Sequence, residues 1–219
     1  LIYLSPERHF VDALAPNLPF YAAWPAEIRP YYPAPILIQN EVGAREIVIA
    51  GFGVASLERG LSDEHFDDPA TRIEDIATLT FPNRSWMKAQ HALVPMRAYY
   101  ANRMRNGIAV EHEIGASGET HFAVAALCNL MPGGQGISSF SPLTTAADGH
   151  PLMRDFATTN NEKRSVIIVP PESYDTWLGT DGLEAVNALL RLYPAAKMEA
   201  TPVTRTSLED LLRPPDPTA

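Results

Sequence analysis

The sequence predicts an α+β fold: a single domain built on a curved, barrel-like, mostly antiparallel sheet with peripheral helices. Three observations predict it. Short apolar runs recur along the chain, punctuated by glycine turns, as strands of one sheet do. Helical periodicity is confined to a few short segments near the two ends. No shift in composition marks a boundary anywhere between residues 1 and 212, so one domain spans them, and residues 213–219 read as a mobile tail.

The elements follow in order. Ser5 and Pro6 ahead of Phe10, Val11, Ala13 and Leu14 read as a capped short helix, with Ser5 as N-cap and Pro6 in the first turn. Residues 15–35, rich in proline and aromatics, read as an irregular wrap over a core. Ile36-Leu37-Ile38 and Ile47-Val48-Ile49 flank Gly43 and read as a hairpin. Residues 57–70 read as a charged loop. Leu93-Val94, Ala98-Tyr99-Tyr100, Ala109-Val110 and Phe122 to Leu127 are strand candidates, with turns at Asn106-Gly107 and Ser117-Gly118. Residues 132–136 (PGGQG) form a loop. Ser165 to Val169 reads as one buried strand closed by Pro170-Pro171. Residues 172–178 and 183–192 carry helical spacing, and Met198 to Val203 reads as a last strand.

Composition narrows the functional classes. The net charge is −9, from 17 Lys and Arg against 26 Asp and Glu. That balance argues against tight nucleic-acid binding, which needs cations to displace phosphate counterions, although a local basic groove is compatible with it. The acid clusters at Asp63-Glu64, Asp67-Asp68 and Glu74-Asp75 and reads as a solvated face. Cys128 is the one cysteine, so no internal disulfide forms and a cytoplasmic, reducing setting is expected. No apolar run is long enough to span a bilayer, and the start of the sequence lacks the pattern of a signal peptide.

Metal and nucleotide chemistry find no support. The six histidines include no pair at zincin spacing, and Cys128 has no histidine at zinc-ligand distance in sequence. Glu111-His112-Glu113 alternates on a strand, the glutamates on one face and His112 on the other, and reads as surface side chains. Gly133-Gly134-Gln135-Gly136 lacks the Lys-Ser/Thr of a phosphate loop. No metal and no cofactor is expected. Arg97, Arg103 and Arg105, with Lys88 nearby, form the main basic cluster, either solvated charge or a surface that meets DNA.

Two stretches carry a family resemblance. The run from Ser138 to Leu178 and the run His91-Ala92-Leu93-Val94-Pro95-Met96-Arg97-Ala98-Tyr99-Tyr100 resemble the SOS-response-associated peptidase (SRAP) family. The resemblance implies a SRAP-like fold and a relation to sensors of abasic sites in single-stranded DNA, which act in the DNA-damage response through a DNA–protein crosslink. It also implies a nucleophilic cysteine at the start of the mature protein, whose amine and thiol trap the opened sugar. Tyr3 matches the aromatic of the family's opening motif, which places that cysteine just ahead of Leu1. The family asparagine falls on Ala70, its acid–base glutamate on Ala101 and its late histidine on Ala157. Alanine supplies neither donor nor acceptor, so the resemblance implies a pseudoenzyme with weak binding of single-stranded or abasic DNA. DNA-contact candidates carried over in the same way are Arg72 for a phosphate, Phe52 for base stacking, and Thr144 and Thr145 for phosphate hydroxyl contacts. Two alternatives stay open: an active enzyme using a cysteine ahead of Leu1, and a non-enzymatic protein-interaction module, which the acidic charge favours.

Overall fold

A computed structural model describes residues 1–53, 69–78, 80–130, 137–157, 162–179 and 183–204. The elements are β1 (Tyr3–Leu4), α1 (Arg8–Leu14), β2 (Glu27–Ile28), β3 (Pro33–Gln39), β4 (Arg45–Phe52), β5 (Thr71–Arg72), α2 (Thr80–Met87), β6 (His91–Met96), β7 (Ala98–Arg105), β8 (Ile108–Ala116), β9 (Phe122–Leu130), β10 (Ile137–Ala146), β11 (Phe156–Ala157), β12 (Arg164–Val166), β13 (Ile168–Val169), α3 (Tyr174–Leu178), α4 (Leu183–Leu189) and β14 (Met198–Pro202).

The strands form two sheets. One runs β14-β8-β7-β1-β2, with β11 added to β7. The other runs β12-β10-β4-β3-β6-β9-β13, with β5 on β10. A further pairing of β10 with β9 closes β10, β4, β3, β6 and β9 into a ring. The ring depends on one parallel contact, Phe140 of β10 level with Phe52 of β4.

Strand alternation explains how the second sheet is covered on both faces. Along β9, Val124, Ala126 and Cys128 face one way and Ala123, Ala125 and Leu127 the other. The first set meets the other sheet, packing with Tyr3, Tyr99, Ile114 and Phe156. The second set meets the helices, through Val11 of α1, Trp86 of α2, Trp177 of α3 and Val186 of α4. The two sheets share a core, so the described residues make one α+β domain with a curved, barrel-like sheet.

Several readings hold in detail. The β3–β4 hairpin pairs Ile36 with Val48 and turns at Gly43, whose φ of 80° suits glycine. The β7–β8 hairpin turns at Asn106-Gly107, both with positive φ, as a type I′ turn requires. The wrap of residues 15–35 contains only the two residues of β2 before β3 begins at Pro33, and Arg8 holds it, bonding to the carbonyls of Leu18, Pro19 and Ala22 and to Asp12.

Other readings need correction. Ser5 is not an N-cap: its hydroxyl donates to Ala26 O, and α1 starts at Arg8 after an uncapped Glu7. The backbone of Ser5 is drawn into the β1–β2 contact, so the helix cannot begin there. Residues 165–169 are not one strand. The chain leaves β10 after Val166 and joins β9 at Ile168, with Ile167 bonded to both neighbours. His112 is not on the surface; it is 8% exposed. The readings for residues 57–68, 132–136 and 213–219 lie outside the described residues.

Candidate functional site

The edge of β7 gathers three segments of chain. Tyr99 and Ala98 pair with Tyr3 and Leu4 of β1, and Asn102 and Arg103 pair with Ala157 and Phe156 of β11. Between these two partners lie Tyr100 and Ala101. The Tyr100 N–H donates to Ile2 O at 3.0 Å, which carries the β1 pairing one step further and brings Leu1 level with Ala101. On the other side of β7, Ala101 is opposite His112 of β8. Ala101 is thus where the start of the chain, β11 and β8 converge.

Strand alternation sorts the side chains. Directly paired residues share a face, so Ala101, His112, Arg103 and Phe156 point one way, while Asn102, Glu111 and Ala157 point the other. Ring geometry agrees: His112 meets Phe156 edge-on at 5.1 Å, and the Arg103 guanidinium lies over the Phe156 ring at 5.9 Å. The Arg103 charge is matched by Asp155 at 2.8 Å. Ala101 and Ala157 are therefore near neighbours whose methyls turn to opposite sides. Ala70 stands on the other sheet, just ahead of β5, and is buried.

The DNA-contact candidates divide into a cluster and an outlier. Arg72 and Thr144 are register partners on β5 and β10, and Thr145 follows. The Thr144 hydroxyl donates to Thr71 O at 3.4 Å and accepts from Arg164 Nε at 3.2 Å; Thr145 is half-buried opposite Ser165. Arg72 pairs with Glu162 at 2.9 Å and Arg164 with Glu74 at 2.7 Å. Burial alone would raise the Glu74 carboxyl, but the bond from Arg164, with its charge and nearby backbone donors, outweighs it and lowers the pKa. Phe52 is the outlier. It is 0% exposed, stacked on Phe140 and met edge-on by Tyr3, so no face is open for a base; Phe52 is a core residue.

Cys128 is no nucleophile. It is buried, and desolvation pushes its thiol up to about 12. A cavity of about 500 Å³ lies at the far end of β1, beside Trp24, Arg97 and Arg8. Groups there already bond to backbone carbonyls: Trp24 to Pro6, Arg97 to Ser5, Arg8 to the wrap. No cluster of His, Cys, Asp or Glu arranged to hold a metal occurs among the described residues, and none of their helices is long and apolar enough to cross a membrane.

His112 is the polar residue that the sequence reading missed. The signal was present: His112 shares its strand face with Val110 and Ile114, an apolar stripe that points inward.

The comparisons with known proteins agree with this architecture. The family model for the SOS response associated peptidase (SRAP) matches residues 19–207, and the chain belongs to that family. A crystal structure of a protein from Bordetella bronchiseptica is 26% identical, with 93% of this chain and 99% of that one covered and a TM-score of 0.78. A protein from Bacteroides thetaiotaomicron is 18% identical, with 99% and 90% covered and a TM-score of 0.67. A phage-related protein from Bordetella bronchiseptica is 18% identical, with 94% and 93% covered and a TM-score of 0.68. The last two share the fold. No curated protein matches the chain.

Proposed function

We propose that this SOS-response-associated peptidase-like protein is a relative of the abasic-site sensors that has lost covalent chemistry and keeps weak binding to single-stranded DNA. The observation that carries the reading is Ala101. The fold brings the start of the chain beside it, yet a methyl group stands where the family's proton-transfer glutamate is expected. Ala157, on the neighbouring rung, and Ala70, on the other sheet, are equally inert. Arg72, beside Thr144, is the phosphate candidate. Its partner Glu162 is 39% exposed, and opening such an exposed pair costs about 0–1 kcal/mol. Binding of this kind is weak and falls with salt.

The test is incubation of the protein, with its native N-terminus, with an abasic single-stranded oligonucleotide. We expect a salt-sensitive complex and no denaturation-resistant adduct. A clear adduct overturns the pseudoenzyme reading. The position of Leu1 beside Ala101 favours one alternative: a cysteine ahead of Leu1 would start close to this rung, and an adduct abolished by replacing that cysteine would establish it.

A further inference from the structure

His112 is a buried, oriented and half-used imidazole. Its Nδ1 lies 2.9 Å from Val110 O. A carbonyl only accepts, so Nδ1 carries a proton, and in the neutral form of the ring Nε2 is left as a lone-pair acceptor. Nε2 makes no hydrogen bond to any described residue, and it is not among the fully enclosed unpartnered polar atoms, so this edge of the ring reaches the surface although the residue is more than nine-tenths buried. The ring is fixed on one side by Phe156, edge-on, and its cross-strand neighbours on the same face are Ala101 of β7 and Pro202 of β14. Ala101 is only half-buried, and a methyl occupies little of the space that a longer side chain would fill beside the imidazole.

We propose that His112 is the specificity-determining group of this site, its Nε2 accepting a hydrogen bond from a sugar hydroxyl of a bound strand. The inference rests on the single-stranded DNA reading and adds the residue and the chemical group it recognises. A lone pair held in place repels phosphate oxygens and selects a donor. On the described part of this face Arg103 is matched by Asp155 and Arg105 lies two rungs out toward the turn, so the immediate neighbours of the imidazole are Phe156, Ala101 and Pro202, an apolar surround that suits a small hydroxyl-bearing sugar. An abasic deoxyribose carries such a hydroxyl where an intact nucleotide carries its base.

Three short single-stranded oligonucleotides separate the possibilities: one intact, one with a deoxyribose abasic site, and one with the tetrahydrofuran analogue, which keeps the backbone and lacks that hydroxyl. Affinities are read by fluorescence anisotropy at low salt, with a denaturing gel of the same samples to check that no adduct contributes. The wild-type protein should bind the deoxyribose strand about fivefold more tightly than the tetrahydrofuran strand, the value of one net hydrogen bond. His112→Phe keeps a ring against Phe156 and should erase the preference, costing the deoxyribose strand more affinity than the intact strand; His112→Gln, which retains an acceptor, should restore part of it. Thermal melts check that both variants fold. Equal wild-type affinity for the two abasic strands overturns the proposal even if His112→Phe fails to fold, as does a preference that survives His112→Phe or an equal loss on the intact strand. If none of the three strands binds, the DNA reading itself falls and this inference with it.

Discussion

The imidazole of His91 lies 5.0 Å from the indole of Trp177, ring centre to ring centre, while that indole donates its N–H to the carbonyl of Ala92 next along β6. Trp86 closes the other side at 5.2 Å. His91 is 4% exposed, and neither ring nitrogen has a well-formed hydrogen bond. Desolvation lowers its pKa to about 4, and the nearby Trp177 backbone offsets this only in part.

A pH dependence follows from that setting. The unfolded chain takes up a proton at His91 near pH 6.5, and the folded chain only near 4. Between those values the unfolded state binds more protons, so stability falls as pH drops from about 6.5 to about 4 and is independent of this group above that window. The loss approaches about 3 kcal/mol. His121 is lowered in the same sense, first by burial, and adds to the slope. Urea unfolding across this range should show a flatter profile for His91→Leu, with a residual slope from His121. A profile unchanged by the substitution refutes the assignment.

Thiol chemistry offers a second check. Cys128 is buried on β9 with its pKa pushed up to about 12, so a thiol reagent should leave it untouched in the native protein and label it once after unfolding. Rapid native labelling on Cys128 contradicts the burial. Rapid labelling at a second thiol, located by mass spectrometry ahead of Leu1, supports the active-enzyme alternative.

Arg164 offers a third. Its side chain is 8% exposed and serves Glu74, the Thr144 hydroxyl and the Thr144 carbonyl together. Arg164→Met leaves the buried Thr144 groups short of partners and should cost about 2 kcal/mol, read as a shifted urea midpoint at constant slope. Glu74→Gln should cost less than about 1 kcal/mol, because the carboxylate is half exposed. Equal losses in the two variants would place the energy in the ion pair instead.

Much of the fold was legible because its signals are local. The β3–β4 and β7–β8 hairpins declare themselves through apolar runs around Gly43 and Asn106-Gly107, and α3 and α4 through their spacing. What escaped depends on distant partners. Tyr3–Leu4 is a strand only because β7 and β2 flank it, and that pairing displaced the helix start from Ser5 to Arg8. Nothing local divides 165–169 at Ile167; the division exists because β10 and β9 compete for the same segment.

The site was legible only in part. Ala101 and Ala157 fall on adjacent rungs, whereas Ala70 stands on the other sheet. Their opposite orientation and the facing His112 come from cross-strand register, which a sequence pattern does not carry. Phe52 shows the converse: an aromatic beside a glycine reads equally as a stacking platform or as core, and burial decides for core.

The contact of Phe140 with Phe52 sets a constraint on biosynthesis. The segment that completes the closed arrangement emerges from the ribosome roughly ninety residues after the strand it must join, a delay on the order of 10 s at ordinary translation speed. Throughout that wait β4 has an unsatisfied backbone flank and β3 an incomplete apolar covering, the kind of nascent chain that sticks to its neighbours. Expression yield should therefore respond to chaperone supply and growth temperature more than equilibrium stability alone would suggest.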